Sequence, residues 1–278
     1  MRILITGGNG LLGTELKLSL EEDYEVYAWD KKELDITFAQ EAIAKIVDLN
    51  PDLVIHTAAY TDADACERNI DLAYQINAYG SRNIVVACQE SNAEMIYISS
   101  DYIFDGKKGE AYCEFDRPNP LNIYGKSKLA GEEFVKNLVN KYFIVRTAWL
   151  YGKYGNNFVK TMLRLSTEED VLTVVNDQIG SPTYTKDLVQ AIKELIGTKL
   201  YGTYHLTNLG EVSWYQFAKK IFEYSNIEIE VKAVSSQEFI RAATRPNYSA
   251  LNNYALKQGL GYQMRDWKVA LRDYLHNG

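Results

Sequence analysis

The stretch Thr6-Gly7-Gly8-Asn9-Gly10-Leu11-Leu12-Gly13 follows directly on the apolar run Ile3-Leu4-Ile5, and that junction decides the fold. Two glycine spacings overlap in it. Gly7, Gly10 and Gly13 form G-x-x-G-x-x-G, while Gly8, Gly10 and Gly13 form G-x-G-x-x-G; both are dinucleotide-binding patterns when a strand precedes them and a helix follows. The chemistry behind the spacing is steric. The first glycines permit a tight turn with positive φ, Gly10 lets the backbone approach a pyrophosphate, and Gly13 lets the next helix pack on the sheet. That helix, over about residues 11–20, would aim its free N–H groups and positive dipole end at the phosphates.

The neighbours support this reading. Glu25-Val26-Tyr27-Ala28-Trp29-Asp30 is a second strand with an acid at its end, at about the distance where a carboxylate accepts hydrogen bonds from the adenosine ribose. Asp30 would repel a 2′-phosphate, which favours NADH. Lys31 and Lys32 follow at once and could neutralise that phosphate, so NADPH is also admitted.

Further along, Thr37-Phe38-Ala39-Gln40 has capping-box spacing and opens a helix that Asn50-Pro51 stops. Leu53 to Thr57 is a strand running into Ala58-Ala59-Tyr60-Thr61, small residues at the carboxyl edge where ligands bind in an open α/β sheet. A helical stretch over about residues 71–91 carries Asn77, and Met95 to Ile98 is a strand that ends in Ser99-Ser100-Asp101. Short apolar strands alternating with helices predict an α/β, Rossmann-like, doubly wound parallel sheet covered on both faces. We expect residues 1–151 to form the dinucleotide-binding domain. Residues 152–278 should form mainly a smaller C-terminal substrate-binding lobe, with segments near 171–196 and 203–207 returning to the first domain.

Composition narrows the class. A chain of 278 residues with 46% hydrophobic content can bury a large core. A net charge of -7 disfavours a nucleic-acid partner or an acidic membrane held by bulk electrostatics, so no nucleic acid and no membrane is expected. Cys66, Cys88 and Cys113 lack C-x-x-C spacing and are odd in number, which fits free thiols in a reducing, cytoplasmic setting. The N-terminus begins on a core strand and no apolar run reaches membrane-spanning length, so neither a leader nor a span is expected. The three histidines, His56, His205 and His276, make no ligand cluster, and no catalytic metal is expected. His56, inside an apolar strand, reads as a satisfied core residue.

Tyr124 and Lys128 stand four residues apart near the start of a helix, so both side chains face one side. A free tyrosine has a pKa of about 10. An ammonium beside it would favour the phenolate and bring the phenol nearer the working range, and the same lysine can bind the nicotinamide ribose hydroxyls. Ser100, delivered from a strand end, would hold the substrate oxygen. Tyr-x-x-x-Lys alone is common in a chain with 21 tyrosines; its force here comes from its order after the glycine turn, the acid of the second strand and the Ser-Ser-Asp strand end. At Arg245-Pro246 a guanidinium could clamp a ligand's pyrophosphate in a fork geometry. Asp177-Gln178 reads as a turn without a catalytic role.

With these motifs the sequence resembles the extended short-chain dehydrogenase/reductase family along essentially its whole length. The resemblance rests on the glycine turn, Tyr124-Gly125-Lys126-Ser127-Lys128, residues 99–106 (SSDYIFDG), Arg146-Thr147-Ala148-Trp149, Gly155-Asn156-Asn157-Phe158, residues 176–183 (NDQIGSPT) and Arg245-Pro246. It implies NAD(P)H-dependent reduction of the C4 keto group of dTDP-4-dehydro-L-rhamnose to dTDP-L-rhamnose. In that reaction Tyr124 would be the proton donor, Lys128 would orient the ribose and tune Tyr124, and Ser100 would assist. It further implies that Ser100, Asp101 and Trp149 touch the sugar nucleotide. Gly7, Gly10, Leu11, Leu12, Gly13, Asp30, Asp35, Ile36, Ala58, Ala59, Tyr60, Thr61 and Asn77, with Tyr124 and Lys128, would line the cofactor site. The chain departs from the family pattern in having Ser100 where threonine is frequent and Tyr60 among the small residues. Relatives that form a magnesium-linked dimer use C-terminal acids, and the end of this chain offers no such cluster, so a homodimer is admitted without that metal. Two other functions fit the same cofactor turn: a nucleotide-sugar epimerase that recycles its cofactor, and a non-catalytic dinucleotide-binding regulatory subunit, for which the intact Ser100, Tyr124 and Lys128 would be superfluous.

Overall fold

The computed structural model describes residues 1–277. Its centre is a six-stranded parallel sheet built from β1 (Arg2–Thr6), β2 (Glu25–Trp29), β3 (Leu53–His56), β4 (Glu94–Ser100), β5 (Tyr142–Thr147) and β10 (Gly202–His205), in the order β10-β5-β4-β3-β1-β2. Alternate residues of each strand enter opposite cores. Ile3 and Ile5, Leu53 and Ile55, and Phe143 and Val145 pack on one face with α1 (Leu11–Leu20) and α8 (Thr185–Leu195). Leu4, Val54, Met95, Tyr97 and Ile144 pack on the other with α2 (Ala39–Leu49), α5 (Ser81–Ser91) and α6 (Ile123–Leu138). Burial on both faces explains why these strands read as continuous apolar runs rather than alternating ones.

The strand order reverses at β1, which has β2 on one side and β3 on the other. Ligands of open α/β sheets bind at such a crevice, outside the carboxyl ends of the strands. Gly7 turns the chain there with φ +72°, and Gly8 N–H donates to the Trp29 carbonyl at 3.0 Å. A Cβ on Gly13 would overlap the Gly7 carbonyl oxygen, so the first turn of α1 lies directly on the loop.

A second core forms the lobe. It joins α7 (Phe158–Leu165), β7 (Val171–Val175), α9 (Trp214–Ser225), β12 (Glu230–Val234) and α11 (Trp267–Asn277) around Tyr151, Tyr184 and Phe217. Three two-stranded ladders complete this half: β12 with β7, β11 (Val212–Ser213) with β8 (Ile179–Gly180), and β6 (Leu150–Tyr151) with β9 (Thr183–Tyr184).

Three local expectations change. Of the segment 171–196, only α8 packs beside α1; β7 pairs in parallel with β12 over Val171↔Glu230 to Val175↔Val234 and stays in the lobe. Thr37 does not cap α2: its N–H and hydroxyl both bond Asp35 Oδ1, at 3.0 and 2.7 Å, and Phe38 takes the cap position without a side-chain bond. The helical stretch over 71–91 is broken into α4 (Ile70–Tyr74), a π-helical turn Gln75–Gly80, and α5. Such π turns tend to occur at functional sites, and this one carries Asn77.

The packing at Gly13 has a direct consequence. Gly13→Ala should destabilise the fold by about 1–3 kcal/mol, as overpacking does, and weaken binding of a nicotinamide dinucleotide. Urea unfolding and a cofactor titration check this; an unchanged midpoint together with unchanged affinity would contradict it.

Candidate active site

Two cavities meet the carboxyl edge of the sheet. The first, about 400 Å³, is lined by Gly7, Asn9, Gly10, Leu11, Asp30, Lys31, Leu34, Asp35, Ile36, Thr37, Thr57, Ala58, Ala59, Thr61 and Ile76. The second, about 540 Å³, lies between the sheet and the lobe and is lined by residues that include Leu11, Ser99, Ser100, Asp101, Tyr102, Tyr124, Thr147, Trp149, Trp214, Arg241 and Arg245. Leu11 and Thr61 border both.

The first cavity suits a dinucleotide. Its floor is the glycine turn, and α1 starts at Gly10 without a side-chain cap, so its first N–H groups are open to an anion. Asp30 closes the far end. Its carboxylate accepts from the Lys32 N–H at 2.6 Å and from the Asn9 side chain, and these bonds, led by that of Lys32, keep its pKa below the usual value. Lys31 is largely exposed and reaches Asp35 at 3.7 Å. Asn9 and Thr37 were not anticipated as lining; a polar residue inside the glycine turn was the one signal that could have pointed to Asn9. Leu12 and Gly13 lie under the turn, with Leu12 in the core, so they contribute backbone rather than lining.

Asn77 is placed differently from the expectation. It is fully buried and holds other residues in position. Its Oδ1 accepts from the Tyr60 N–H at 2.7 Å, and its Nδ2 donates to the Tyr60 carbonyl and to Ser127 Oγ, both at 3.0 Å. One side chain thus ties the loop after β3 to α6.

The second cavity gathers Ser100, Asp101, Tyr124, Trp149 and Arg245. Helix α6 starts where Asn122 Oδ1 accepts the Gly125 N–H at 2.8 Å, while Glu67 accepts the Ile123 N–H at 2.8 Å. Gly125 abuts the Tyr102 carbonyl, where a Cβ could not fit. This close contact sets Tyr124 beside the end of β4, on the cavity wall that Ser100 also lines. Ser100 Oγ donates to Asp101 Oδ1 at 3.0 Å and accepts from the Tyr102 N–H at 3.2 Å.

Lys128 is buried one turn behind, its Nζ lying 4.1 Å from the centroid of the Tyr97 ring. The electrostatics differ from the sequence expectation. Burial pushes the Tyr124 phenol well above its ordinary value, partly opposed by the neighbouring Ser100 hydroxyl, and Lys128 is not among the main influences on it. Burial also brings the Lys128 ammonium down to about 7, against the pull of Glu132. Desolvation outweighs the pair attraction because both groups sit in low dielectric. Tyr124 therefore holds its proton, the state required of an acid.

Trp149 takes φ +48° and stacks on Trp214 with ring centroids 3.4 Å apart. Trp214 was not anticipated at the site; its place there depends on a fold contact that spacing does not reveal. Arg245 does reach the cavity, but its fork is already engaged: Nη1 and Nη2 donate to the Asp64 carboxylate at 3.1 and 2.9 Å. That guanidinium holds the Asp64 carboxyl down to about 2. The expected free clamp on a pyrophosphate is thus an internal ion pair, with the neighbouring Arg241 more exposed. His56 is buried between Thr6 at 2.6 Å and Ser81 at 3.0 Å, and burial lowers its pKa to about 3. No cluster of histidine, cysteine or acid side chains suited to a metal occurs among the described residues, and no helix among them is long and apolar enough to cross a membrane.

Comparison with known proteins agrees with this architecture. The model of the family described as RmlD substrate binding domain matches residues 1–278. A dTDP-4-dehydrorhamnose reductase of Aggregatibacter actinomycetemcomitans is 40% identical, over 98% of this chain and 97% of the relative. The spore coat polysaccharide biosynthesis protein SpsK of Bacillus subtilis is 41% identical, over 99% and 96%. The crystal structure of a dTDP-4-dehydrorhamnose reductase from Bacillus anthracis, in complex with NADP, superposes with a TM-score of 0.98 at 52% identity, covering 100% of this chain and 99% of the other.

Asp101 offers a test of the site's electrostatics. It is 3% exposed, accepts from Ser249 Oγ at 2.6 Å, and burial raises its pKa to about 6. Ser249, 148 residues away in sequence, could not be paired with it from the sequence. A raised carboxyl stabilises the fold while protonated; that contribution is present below the unfolded value of about 3.9 and is lost as pH rises through about 6. Asp101→Asn should therefore gain stability relative to the parent, by about 2 kcal/mol, between pH 4 and pH 7.5. Urea unfolding at the two pH values checks this, and a difference that does not change with pH would contradict it.

The chain belongs to the RmlD substrate-binding domain family, within the extended short-chain dehydrogenases/reductases.

Proposed function

We propose, from membership of that family, that the chain is an NAD(P)H-dependent oxidoreductase reducing the C4 keto group of dTDP-4-dehydro-L-rhamnose to dTDP-L-rhamnose. The observation that carries the reading is the meeting of Ser100 and Tyr124 on one wall of a cavity that shares Leu11 and Thr61 with the dinucleotide cavity. A sugar nucleotide in the larger cavity and a cofactor in the smaller one would meet at that wall.

The nicotinamide cofactor supplies the hydride when bound. Tyr124 gives its proton to the C4 oxygen, so that ketone, hydride and proton become a secondary alcohol. Ser100 donates to the same oxygen and fixes its position; Asp101, which now accepts the Ser100 proton at 3.0 Å, holds that hydroxyl until the substrate takes it over. Lys128 lies behind Tyr124, binds the ribose hydroxyls, and offsets the phenolate left after transfer. Trp149, braced by Trp214, gives the sugar nucleotide a flat apolar wall. The role of Arg245 is to shape this wall together with Asp64, and Arg241, less tightly held, is the guanidinium placed to meet the diphosphate.

Asp30 favours NADH, because a carboxylate lining the dinucleotide cavity would repel a 2′-phosphate. The exposed Lys31 lets NADPH bind as well, by meeting a 2′-phosphate.

Purified protein should consume NADH in equal measure with keto sugar nucleotide, which also separates a reductase from an epimerase that regenerates its own cofactor. Tyr124→Phe should lower kcat by at least about 100-fold, the usual contribution of a general acid, with NADH affinity nearly unchanged; normal turnover by this variant would remove Tyr124 from the mechanism. Asp30→Ser should move the NADH/NADPH preference toward NADPH by about tenfold, close to 1.4 kcal/mol. An unchanged ratio of kcat/KM values would show that Asp30 does not read the ribose.

A further inference from the structure

Beneath the reacting groups lies a buried ion pair that the reduction, as described, does not use. Glu132 is fully buried and Arg146 is 2% exposed. Arg146 on β5 donates through Nε to Glu132 Oε1 at 2.9 Å and through Nη2 to Glu132 Oε2 at 2.7 Å. The Ser99 hydroxyl on β4 donates to the same Oε1 at 2.6 Å. Three elements are therefore joined at one carboxylate: α6, which carries Tyr124 and Lys128; β4, which ends in Ser100; and β5. A buried ion pair is weak evidence for stability, since an apolar pair of similar volume often serves as well. Its placement suggests a different use.

Glu132 follows Lys128 by four residues on α6, so the two share a helix face. The groups around Lys128 leave it little other support. From β4 comes the Tyr97 ring, whose hydroxyl donates to the Lys128 carbonyl at 3.2 Å. From β3 comes His56, kept neutral by burial. From α6 itself comes the protonated Tyr124. The π-helical turn contributes the uncharged Asn77 through Ser127, Glu67 of α3 (Ala63–Arg68) is engaged at the Ile123 N–H, and Asp101 acts on Tyr124. Among the described residues Glu132 is the one negative group that supports the lysine's charge, and it is kept ionised in spite of its burial by Arg146, Ser99 and Lys136.

We propose that Glu132 is a positioning residue for this site: anchored by Arg146 and Ser99, it fixes the strand end that presents Ser100 and keeps Lys128 in its ammonium form when the cofactor binds. The inference rests on the oxidoreductase reading for its place in catalysis. Its mechanism is electrostatic. A carboxylate one turn from a desolvated ammonium extends the pH range over which that ammonium persists, and a neutral group in the same place does not.

The test is the pH dependence of NADH binding, followed by quenching of tryptophan fluorescence, with kcat/KM measured in parallel. In the parent chain affinity should fall on an alkaline limb as Lys128 loses its proton, and Lys128→Met should lack that limb. Glu132→Gln, which can still accept from Ser99, should move the limb down by about one pH unit, and Glu132→Asp should restore it. Because Glu132→Gln strands a buried guanidinium and could fail to fold, Glu132→Gln/Arg146→Met is made as well; it removes both charges together, a change such pairs commonly tolerate, and should show the same displaced limb. A limb that stays in place in a folded variant, whatever its rate or thermal midpoint, overturns the proposal and leaves the pair a purely structural tie. The binding limb needs no sugar substrate. A parent chain that shows it but turns over no keto sugar would therefore overturn the reductase reading while supporting the placement of Glu132.

Discussion

The backbone contact between Gly125 and the Tyr102 carbonyl decides where α6 begins, and most of the candidate site depends on it. No side-chain atom fits between the two. The helix can therefore start directly against the strand end, with Asn122 capping it and the Asn122 amide donating to the Thr244 carbonyl at 2.8 Å across the chain. From that origin, helical periodicity places Tyr124, Lys128 and Glu132 in one line along the face turned to β4. Moving the start of the helix by one residue would rotate all three away from Ser100. The geometry of the site is thus a backbone packing problem before it is a problem of side-chain chemistry.

Desolvation does the next part of the work. The same burial that holds Tyr124 protonated brings Lys128 down to about 7. These shifts have opposite senses because burial disfavours the charged form of each group, an anion in one case and a cation in the other. The free site is therefore poised with a neutral acid and an ammonium close to losing its charge. Lys128 has no direct ion-pair partner among the described residues, so ribose hydroxyls that accept hydrogen bonds from it would favour its charged form. Cofactor binding would then act on the charge state of that one group.

How much of this could be read from the chain depended on whether the determinants were local. The glycine turn, the acid ending β2 and the Tyr-x-x-x-Lys spacing each span a few residues, and each is found in its expected element. The parallel sheet was legible because strands buried on both faces must be apolar throughout. The features that were not legible join distant segments. Arg245 looked like a free fork because Asp64 lies 181 positions away. Trp214 gave no sign of a site role because its partner Trp149 comes from another element. Val171–Val175 looked like a strand of the main sheet, and only the pairing with Glu230–Val234 places it in the lobe. Asn77 had a polar side chain in a helical stretch, and the π-helical turn that aims it at the Tyr60 backbone leaves no periodic signature in the sequence.

The central claim, that a protonated phenol beside Ser100 delivers a proton to a carbonyl oxygen, is tested most directly by a crystal structure of the chain with an oxidised nicotinamide cofactor and the sugar-nucleotide product. The account requires the Tyr124 hydroxyl and Ser100 Oγ both within about 3 Å of the C4 oxygen, with Lys128 Nζ on the ribose hydroxyls. A product bound with C4 turned away from Tyr124, toward Trp149 or the bulk solvent, would contradict it.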